Sequence, residues 1–157
     1  AAESNDAQVA RVPNQALVYL FMQDGEVEKL VLPVEGKGLW STMYGYVALE
    51  SDTTTIAGLT FYEHGETPGL GGEVDNPNWQ ALWPGRKVFD DAWAPKIGVV
   101  KGAAGSVDED PYQVDGLSGA TITSRGVGAL IRFWLDEQRF GAYLANFRNQ
   151  SLTGGQG

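Results

Sequence analysis

Residues 115–124 read Asp-Gly-Leu-Ser-Gly-Ala-Thr-Ile-Thr-Ser, a turn of glycines and small hydroxyl residues that leads directly into an amphipathic helix. Apolar side chains then recur at the spacing of one helical face: Val127, Leu130, Ile131, Trp134 and Leu135. The pattern predicts a helix over residues 123–138, with residues 121–124 at or just before its N-terminus. Unpaired backbone N–H groups and the helix dipole favour an anion such as phosphate there. A hydroxyl in this position can contact a phosphate or be esterified to one.

Two interpretations of this turn are open from the residues alone. In the first, a serine or threonine simply caps the helix, as happens at many N-termini. In the second, the turn approaches a ligand. Gly126 and Gly128 favour the second interpretation, because each costs about 1 kcal/mol relative to alanine inside a helix. Glycines retained at such positions indicate that something bulky lies close to the backbone.

The length and composition predict one domain with a substantial core and an acidic surface. The chain has 157 residues, 43% of them hydrophobic, and carries 11 basic against 20 acidic residues for a net charge of −9. Nucleic acid and anionic lipid both require a basic surface, so this charge argues against either as an electrostatic partner. The acidity is compatible with plain solubility, with a salt-rich medium or with a basic partner.

The cysteine and histidine content restricts the chemistry. With no cysteine, the 157 residues encode no iron–sulfur cluster, disulfide or thiol chemistry. His64 is the single histidine and cannot by itself build a multi-histidine metal site. A redox function would therefore need an organic cofactor, and a flavin fits because it carries electrons without a metal.

Hydropathy and the first residues bear on membrane attachment. No stretch approaches the roughly 18 apolar residues that span a bilayer. The opening residues, AAESNDAQVA, contain neither an initiator methionine nor a hydrophobic signal. We therefore expect the sequence to be part of a longer protein.

Turn residues and apolar runs predict an α+β fold, an antiparallel β-sheet with packed helices. Strands are predicted over 16–22 and 27–34, joined by an Asp24-Gly25 turn, and over 43–50 and 55–64 in a second hairpin. The other predicted elements are a helix over 76–83, a strand over 97–101, a loop over 102–111, a C-cap at Gly141 and a helix over 142–148. We expect a flexible leader over 1–13, one domain over 14–150 and a flexible tail over 151–157.

Three blocks of sequence, in this order, resemble a family of flavoproteins. Residues 36–41 and 43–46 read GKGLWS and MYGY, residues 64–73 read HGETPGLGGE, and residues 115–121 read DGLSGAT. DGLSGAT resembles the flavinylation motif of proteins that carry FMN in phosphoester linkage to a threonine. The other two blocks resemble those of the C subunits of the sodium-translocating NADH:quinone oxidoreductases (Na⁺-NQR). Together the blocks extend over residues 36–128, and the resemblance implies a fold of the FMN-binding domain type.

The resemblance also implies a set of cofactor-binding residues. Thr121 matches the last threonine of the motif and would be the phosphoryl acceptor, with FMN attached by a dedicated flavin transferase. Ser118, Ile122 and Thr123 would form the rest of the phosphate cradle. Gly119 would give the turn the flexibility that admits the transferase, and Ala120 is also expected to bind the cofactor. No metal and no catalytic residue is implied.

The ring system of the flavin would be held by the other two blocks. Trp40 and Leu70 are expected to form an apolar wall, while Glu66 and Thr67 would make polar contacts to the ring or its ribityl chain. Gly71 would let its loop lie close to the flavin. Lys101, at the end of a predicted strand, would contact the flavin or its phosphate.

Two further side chains are expected to support the loops. His64 would hydrogen-bond within its own loop. Asp115 would either orient the turn through Asx-type hydrogen bonds or help to position a metal on the transferase.

For the family, the resemblance implies electron transport within a membrane complex. The complete enzyme oxidises NADH, reduces ubiquinone and pumps Na⁺, and this subunit passes electrons between other carriers. The implied partners are the other subunits and the flavin transferase. The domain would lie on the periplasmic side of the bacterial inner membrane, held by an N-terminal transmembrane helix outside residues 1–157. The net charge predicts negative surroundings for the flavin, which would disfavour an anionic reduced form and keep its potential low.

Three other functions compete with this one. The related G subunit of the ferredoxin:NAD electron-transport complex uses the same flavin linkage, although GLWSTMYGY and HGETPGLGGE favour the quinone-oxidoreductase version. A non-redox extracytoplasmic binding module could retain the scaffold. A hydrolase is disfavoured, because a nucleophile elbow needs G-x-S-x-G and Ala120 stands at the last glycine position. His64 also precedes Ser118, the wrong order for an α/β-hydrolase triad.

Overall fold

The structure, a computed structural model, describes residues 4–154, with side chains described through residue 150. Four strands form one antiparallel sheet in the order β1-β2-β3-β4: β1 (Tyr19–Gln23), β2 (Glu26–Lys37), β3 (Thr42–Glu50) and β4 (Ile56–Glu63). They are followed by a 3₁₀ helix (Gly71–Asp75), α1 (Pro77–Gln80), the short parallel pair β5 (Gly98–Val99) and β6 (Gln113–Val114), α2 (Thr121–Leu135) and α3 (Phe140–Gly154). The predicted α+β class is confirmed.

The sheet follows from alternating residues and tight turns. Alternate side chains of β2, β3 and β4 are buried on one face, which is the period of a half-buried strand. Asp24 and Gly25 both have positive φ angles, of 54° and 81°, as a two-residue hairpin turn requires. The predicted Asp-Gly hairpin is therefore confirmed.

Helix α2 lies across the buried face of the sheet, against β2. Trp134 Nε1 donates a hydrogen bond to the Glu35 carbonyl at 2.7 Å, and a Cβ on Gly36 would lie 2.6 Å from Cβ of Leu130. On the next turns of the helix, a Cβ on Gly126 would collide with the Lys37 carbonyl oxygen, and one on Gly128 would lie 3.3 Å from Cα of Gly98. The predicted close approach is confirmed, and the approaching groups are strand backbone of the protein itself.

The remaining segments brace the end of the sheet. Arg86 is buried and its Nη1 donates to the carbonyls of Gly105 and Asp110, at 3.0 and 2.7 Å, which orders the predicted 102–111 loop. Helix α3 returns across the structure, where Arg148 Nη1 donates to Thr53 Oγ1 at 2.7 Å. In the described range, no helix is long and apolar enough to cross a bilayer.

Several predicted boundaries were wrong. Helix α2 begins two residues earlier than predicted and ends at Leu135, so Gly141 is not its C-cap but the second residue of α3. Helix α1 stops at Gln80, before the predicted end at residue 83. Helix α3 continues to residue 154, into the predicted tail, and residues 155–157 lie outside the described residues.

The predicted leader also differs from the structure. Ala7 and Val9 belong to the buried core, and the Ala7 carbonyl accepts a hydrogen bond from Lys37 N at 2.9 Å. Asn5 stabilises this segment through its side chain, which both donates to and accepts from the Val9 backbone at 3.1 Å. The packed domain therefore starts several residues before position 14. Short polar segments of this kind carry little sequence signal for packing.

The packing of α2 predicts whether replacing a glycine of this helix by alanine stabilises or destabilises the fold. Helix propensity alone would make Gly126→Ala stabilising by about 1 kcal/mol. Because the new Cβ meets the Lys37 carbonyl, we expect Gly126→Ala instead to lower the free energy of unfolding by about 1–3 kcal/mol in urea titrations. Gly58→Ala is the control, since no heavy atom lies within 4 Å of its added Cβ, and should stabilise by about 0.4–1 kcal/mol. A stabilised Gly126→Ala variant would contradict the packing.

Candidate cofactor site

The loop before α2 is tied to three other parts of the fold. Three hydrogen bonds do this: from Trp79 Nε1 to the Asp115 carbonyl at 2.9 Å, from Gly116 N to the Gly102 carbonyl at 2.8 Å, and from Leu117 N to Ser124 Oγ at 3.0 Å. The chain then turns, with Ala120 N donating to the Leu117 carbonyl at 3.2 Å. Gly119 has a φ of +69°, and a Cβ there would lie 3.1 Å from Leu70. Glycine is therefore required at this corner.

The N-terminus of α2 is uncapped. Ala120 holds the N-cap position, no side chain caps the helix, and no acidic residue lies in the first turn. The interpretation of the motif as a serine or threonine cap is therefore wrong. Ser118 lies exposed before the cap, and Ser124 uses its hydroxyl to accept from Leu117 N. The first backbone N–H groups of α2 are thus left for an anion.

A groove of about 420 Å³ opens beside this helix start. It is lined by residues of all three sequence blocks: Leu39, Trp40, Thr67, Leu70, Gly71, Gly119, Ala120, Thr121, Ile122 and Thr123. Its apolar side chains are unusually open to solvent, with Trp40 70%, Ile122 55% and Leu70 44% exposed. A concave apolar surface with a few polar groups at one end suits a flat organic ring that carries a charged tail.

A second cavity, of about 690 Å³, lies on the other side of the same turn. Lys101, Ser118 and Arg125 line it, and Gly119 and Thr121 belong to both cavities. Thr121 is exposed, and within residues 4–154 no group hydrogen-bonds its hydroxyl. Every predicted site residue except Glu66 lines one cavity or the other. The hydroxyl of Thr121 stands at their junction.

Glu66 lies behind the groove and does not line it. Only 5% of the residue is exposed, and five hydrogen bonds engage its carboxylate: from Leu39 N at 2.6 Å, Trp40 N at 2.9 Å, Ser41 N at 3.1 Å, Ser41 Oγ at 3.2 Å and Thr123 Oγ1 at 2.7 Å. Its carboxylate oxygens already accept from protein donors, so Glu66 does not face the groove in which the predicted contact to the ring or its ribityl chain would be made. It supports the wall by joining the loop that carries Trp40 to the first turn of α2.

This support restricts two of the other predicted residues. The Thr123 hydroxyl is buried and committed to Glu66, so its backbone N–H is the group left for an anion. Gly71 is buried directly behind it, and a Cβ there would lie 2.5 Å from Thr123 Oγ1. Gly71 is thus needed for close packing of its loop against α2 as well as for lining the groove.

The hydrogen bonds also determine the protonation of Glu66. Burial acts to raise its pKa, but the Thr123 hydroxyl and the backbone N–H groups of Trp40 and Leu39 stabilise the carboxylate more strongly. The pKa of Glu66 therefore lies below its ordinary value. The group is ionised at neutral pH, and its negative charge is neutralised by donors rather than by a cation.

The negative surroundings predicted for the flavin are not found in the lining of these two cavities, although the ionised carboxylate of Glu66 lies behind the groove. Within the described residues, no carboxylate lines the groove or the second cavity, whereas Lys101 and Arg125 line the second. The overall charge of −9 therefore resides elsewhere on the surface. A net charge gives no information about where individual charges lie.

The supporting residues were predicted in part. His64 hydrogen-bonds within its loop as expected, with Nδ1 accepting from Glu66 N at 3.1 Å and Nε2 lying 2.8 Å from Asp75 Oδ2. Asp115 does not form an Asx turn, since its Oδ1 accepts from Ala104 N at 2.9 Å. Sequence reasoning missed Arg125, although it follows Thr121 by four residues and so lies on the same helix face.

Comparison with known proteins connects this geometry to a cofactor. The family model described as FMN-binding domain matches residues 38–136. That range contains the groove, the loop before α2 and the whole of α2. The chain therefore belongs to the FMN-binding domain family.

Several relatives of the chain carry the same name. The C subunit of the Na(+)-translocating NADH-quinone reductase of Vibrio parahaemolyticus is 50% identical over 152 residues, which are 97% of this chain and 58% of that protein. The same subunit of Pseudomonas aeruginosa is 50% identical over 94% of this chain and 57% of its own length. The crystal structure of Shewanella oneidensis NqrC matches with a TM-score of 0.88 at 40% identity, over 94% of this chain and 68% of that one. The chain is a member of this NqrC family. It spans less than three fifths of the curated relatives' length.

The position of Glu66 predicts both a loss of stability and a pH dependence. Glu66→Ala leaves buried donors without an acceptor and should lower the free energy of unfolding at pH 7 by about 3 kcal/mol, with Glu66→Gln intermediate. Because the pKa is depressed in the folded state, this stabilisation is complete above the ordinary value of about 4.3 and is lost as pH falls through the folded pKa.

Urea titrations at several pH values test this. The difference in the free energy of unfolding between the parent chain and Glu66→Gln should shrink as the pH drops below about 4. The exposed neighbour Glu63 provides the control, and Glu63→Gln should leave the unfolding free energy at pH 7 within about 0.5 kcal/mol of the parent chain. If this difference in unfolding free energy stayed constant from pH 7 to 3, the pKa of Glu66 would not be lowered in the folded chain.

Proposed function

We propose that the chain carries FMN covalently, in phosphoester linkage to Thr121, and acts as an electron-relaying flavoprotein domain. The observation that carries the proposal is the position of the Thr121 hydroxyl. It is exposed, unbonded within the described residues, and located at the uncapped start of α2 between two cavities. A hydroxyl that served only to stabilise the fold would be expected to hold a capping or packing contact there.

The residues around Thr121 fit the phosphate of FMN. A phosphodiester carries one negative charge, which the N-terminus of α2 would stabilise by about 0.3–1 kcal/mol. Lys101 and Arg125 line the adjoining cavity and would add attraction at longer range. Ser118 lies exposed on the same loop and has a hydroxyl to donate.

The groove fits the ring. Trp40, Leu70 and Ile122 would offer apolar contact on its walls, and Thr67 would supply a polar one. When bound, the flavin supplies reversible electron transfer. The chain's own residues would anchor the phosphate, orient the ring and leave part of the groove open to a partner. Glu66 would keep the Trp40 loop and the start of α2 at a constant separation.

Attachment would be a phosphoryl-transfer step on Thr121. Its Oγ1 forms a bond to phosphorus and releases its proton, while the leaving group of an activated flavin donor departs with the electrons of the broken P–O bond. A dinucleotide-type donor held by a flavin transferase meets this requirement. The exposed loop at Ser118 and Gly119 would give such an enzyme access to the hydroxyl.

The names of the relatives support a place in a larger assembly. They are called subunits of a Na(+)-translocating NADH-quinone reductase, which implies that other subunits deliver and accept the electrons. We infer that this chain relays electrons from NADH toward ubiquinone during Na⁺ transport. In that assembly the domain would lie on the periplasmic side of the inner membrane, anchored by an N-terminal transmembrane helix in the part of the relatives beyond residues 1–157.

Two alternatives make different predictions. A non-redox binding module with this scaffold would not acquire FMN from a flavin transferase. The G subunit of the ferredoxin:NAD complex would acquire it in the same way, but relatives of this chain at 47–50% identity are named as C subunits of the quinone reductase. The loading experiment therefore separates the binding module from the carrier, and the comparisons favour the quinone reductase.

Co-expression with a flavin transferase tests the attachment. We expect the intact mass to rise by one FMN less water, with yellow absorbance that persists after denaturation. Thr121→Ala should abolish this addition, and Thr121→Ser should restore it, because serine retains a nucleophilic hydroxyl. Thr60→Ala changes an exposed position on β4 and should acquire FMN to the same extent as the parent chain. A colourless parent protein of unmodified mass would overturn the proposal, as would loading that survives in Thr121→Ala.

A further inference from the structure

A third cavity completes a ring around the first turn of α2. This cleft, of about 640 Å³, lies between the N-terminal segment, the end of β2 and one side of α2. It shares Ile122 with the apolar groove and Arg125 with the second cavity, while Thr121 joins the groove to the second cavity. Thr121 lines two of these cavities and not the third, so the attachment of FMN does not by itself require the third cleft.

The charges on this ring oppose those of the whole chain. Four basic residues line the second cavity and the third cleft, and none lines the groove: Lys37, Lys101, Arg125 and Arg132. Asp6 is the one carboxylate that lines them within residues 4–154. The ring thus holds four of the 11 lysines and arginines but one of the 20 acidic residues. We call the four basic residues the basic face.

The basic face exceeds what a phosphodiester needs. The single negative charge of a phosphodiester at Thr121 is already favoured by the N-terminus of α2. Lys101 and Arg125 line the cavity that adjoins Thr121, whereas Lys37 and Arg132 line the third cleft. Arg132 also lines a smaller cavity, together with Asp6 and Asp136. Arg132 is held in place, since its Nη1 donates to the Ile97 carbonyl at 2.8 Å. Lys37, Lys101 and Arg125 are exposed, so their charges face solvent.

A patch of exposed apolar side chains adjoins these charges. Leu39, Trp40, Leu70 and Ile122 are all exposed large hydrophobic residues and all line the groove. An apolar centre with a charged rim is the usual anatomy of a protein interface. Rim charges of one sign mainly steer the partner and set its orientation, which suits a transient complex.

We propose that the basic face is the docking surface for an acidic protein partner that exchanges electrons with the domain. The inference rests on the proposed function, because that function places the redox group at the centre of this surface. The rest of the chain is strongly acidic and would repel the same partner. An acidic partner would therefore be turned toward the one face where the electron-transfer distance is short.

A protein partner fits better than a small anion or a lipid surface. The exposed cations are divided between two cavities instead of converging on one point, as a built anion site would require. Anionic membranes are bound by local clusters of about 4–8 lysines and arginines, whereas three cations of the basic face are exposed. Peptide and vesicle titrations distinguish these partners.

The first measurement follows binding by amide NMR on the 157-residue chain without cofactor. Hexaglutamate is the acidic probe and hexalysine the basic one, at about 10 mM and about 150 mM salt, where the Debye length falls from about 30 to 8 Å. We expect hexaglutamate to shift amide signals around Lys37 and Arg125 at low salt only. The double variant Lys37→Glu/Arg125→Glu should weaken this binding at least about five-fold.

Arg11→Glu is the matched control, because it makes the same charge change at an exposed arginine. The residues that follow Arg11, Val12 and Pro13, line a groove with Trp134, which lies about 20 Å along α2 from Thr121. The Arg11→Glu variant should bind hexaglutamate with an affinity within about two-fold of that of the parent chain. Equal thermal melting temperatures of the variants would show that they remain folded.

The second measurement uses the FMN-loaded chain, reduced and then mixed with ferricyanide or hexaammineruthenium(III). The quantity measured is the ratio of two rate constants, that for oxidation by ferricyanide divided by that for oxidation by hexaammineruthenium(III). This ratio should fall as the salt concentration rises, and it should be at least about three-fold lower in the double variant than in the parent chain. Peptide shifts located elsewhere, or a double variant that behaves as the parent does, would overturn the docking surface. So would binding to phosphatidylglycerol vesicles that the double variant abolishes. Failure of FMN loading would instead overturn the proposed function, and the peptide titration would still report on the face.

Discussion

The candidate site depends on one buried carboxylate. Glu66 lies in the second sequence block, accepts hydrogen bonds from the backbone of the first block at Leu39, Trp40 and Ser41, and accepts another from Thr123 in the first turn of α2. Three segments that are far apart in the chain are thereby brought to one groove. A buried carboxylate is costly unless donors satisfy it, and here the donors come from all the parts that must stay together. The cost of breaking the arrangement makes the groove rigid.

The second determinant is the close packing of α2 on the sheet. Glycines at positions 36 and 126 let helix and strand approach to a distance that no side chain would allow. This packing brings the uncapped start of α2 up to the end of β2 and the loop that follows it, so that Thr121 and the exposed Trp40 line the same groove. The same approach brings Lys37 to the cleft beside Arg125. The basic face thus forms on a negatively charged domain, and its charges attract and orient an acidic partner.

Local features of the sequence predicted much of the fold, and non-local contacts explain the errors. The Asp24-Gly25 turn, the strand alternation and the apolar stripe of α2 are read from neighbouring residues, and all three were right. The burial of Ala7 was missed because it depends on a pairing with Lys37, thirty residues later. Most of the candidate site residues were found from motifs, but the role of Glu66 was not. No sequence pattern distinguishes a carboxylate that faces a ligand from one that accepts backbone N–H groups.

The sequence by itself determined the fold class, the turn before α2 and the identity of the three blocks that meet at the groove. These properties depend on local backbone preference and on the spacing of apolar residues. The tertiary structure alone decided which groups are free. It left the Thr121 hydroxyl open while committing those of Thr123 and Ser124, and it placed Lys101 and Arg125 in a cavity that Thr121 also lines. The reason is physical: hydrogen-bond partners and local electric fields depend on distances between residues remote in sequence, and those distances exist only in the folded chain.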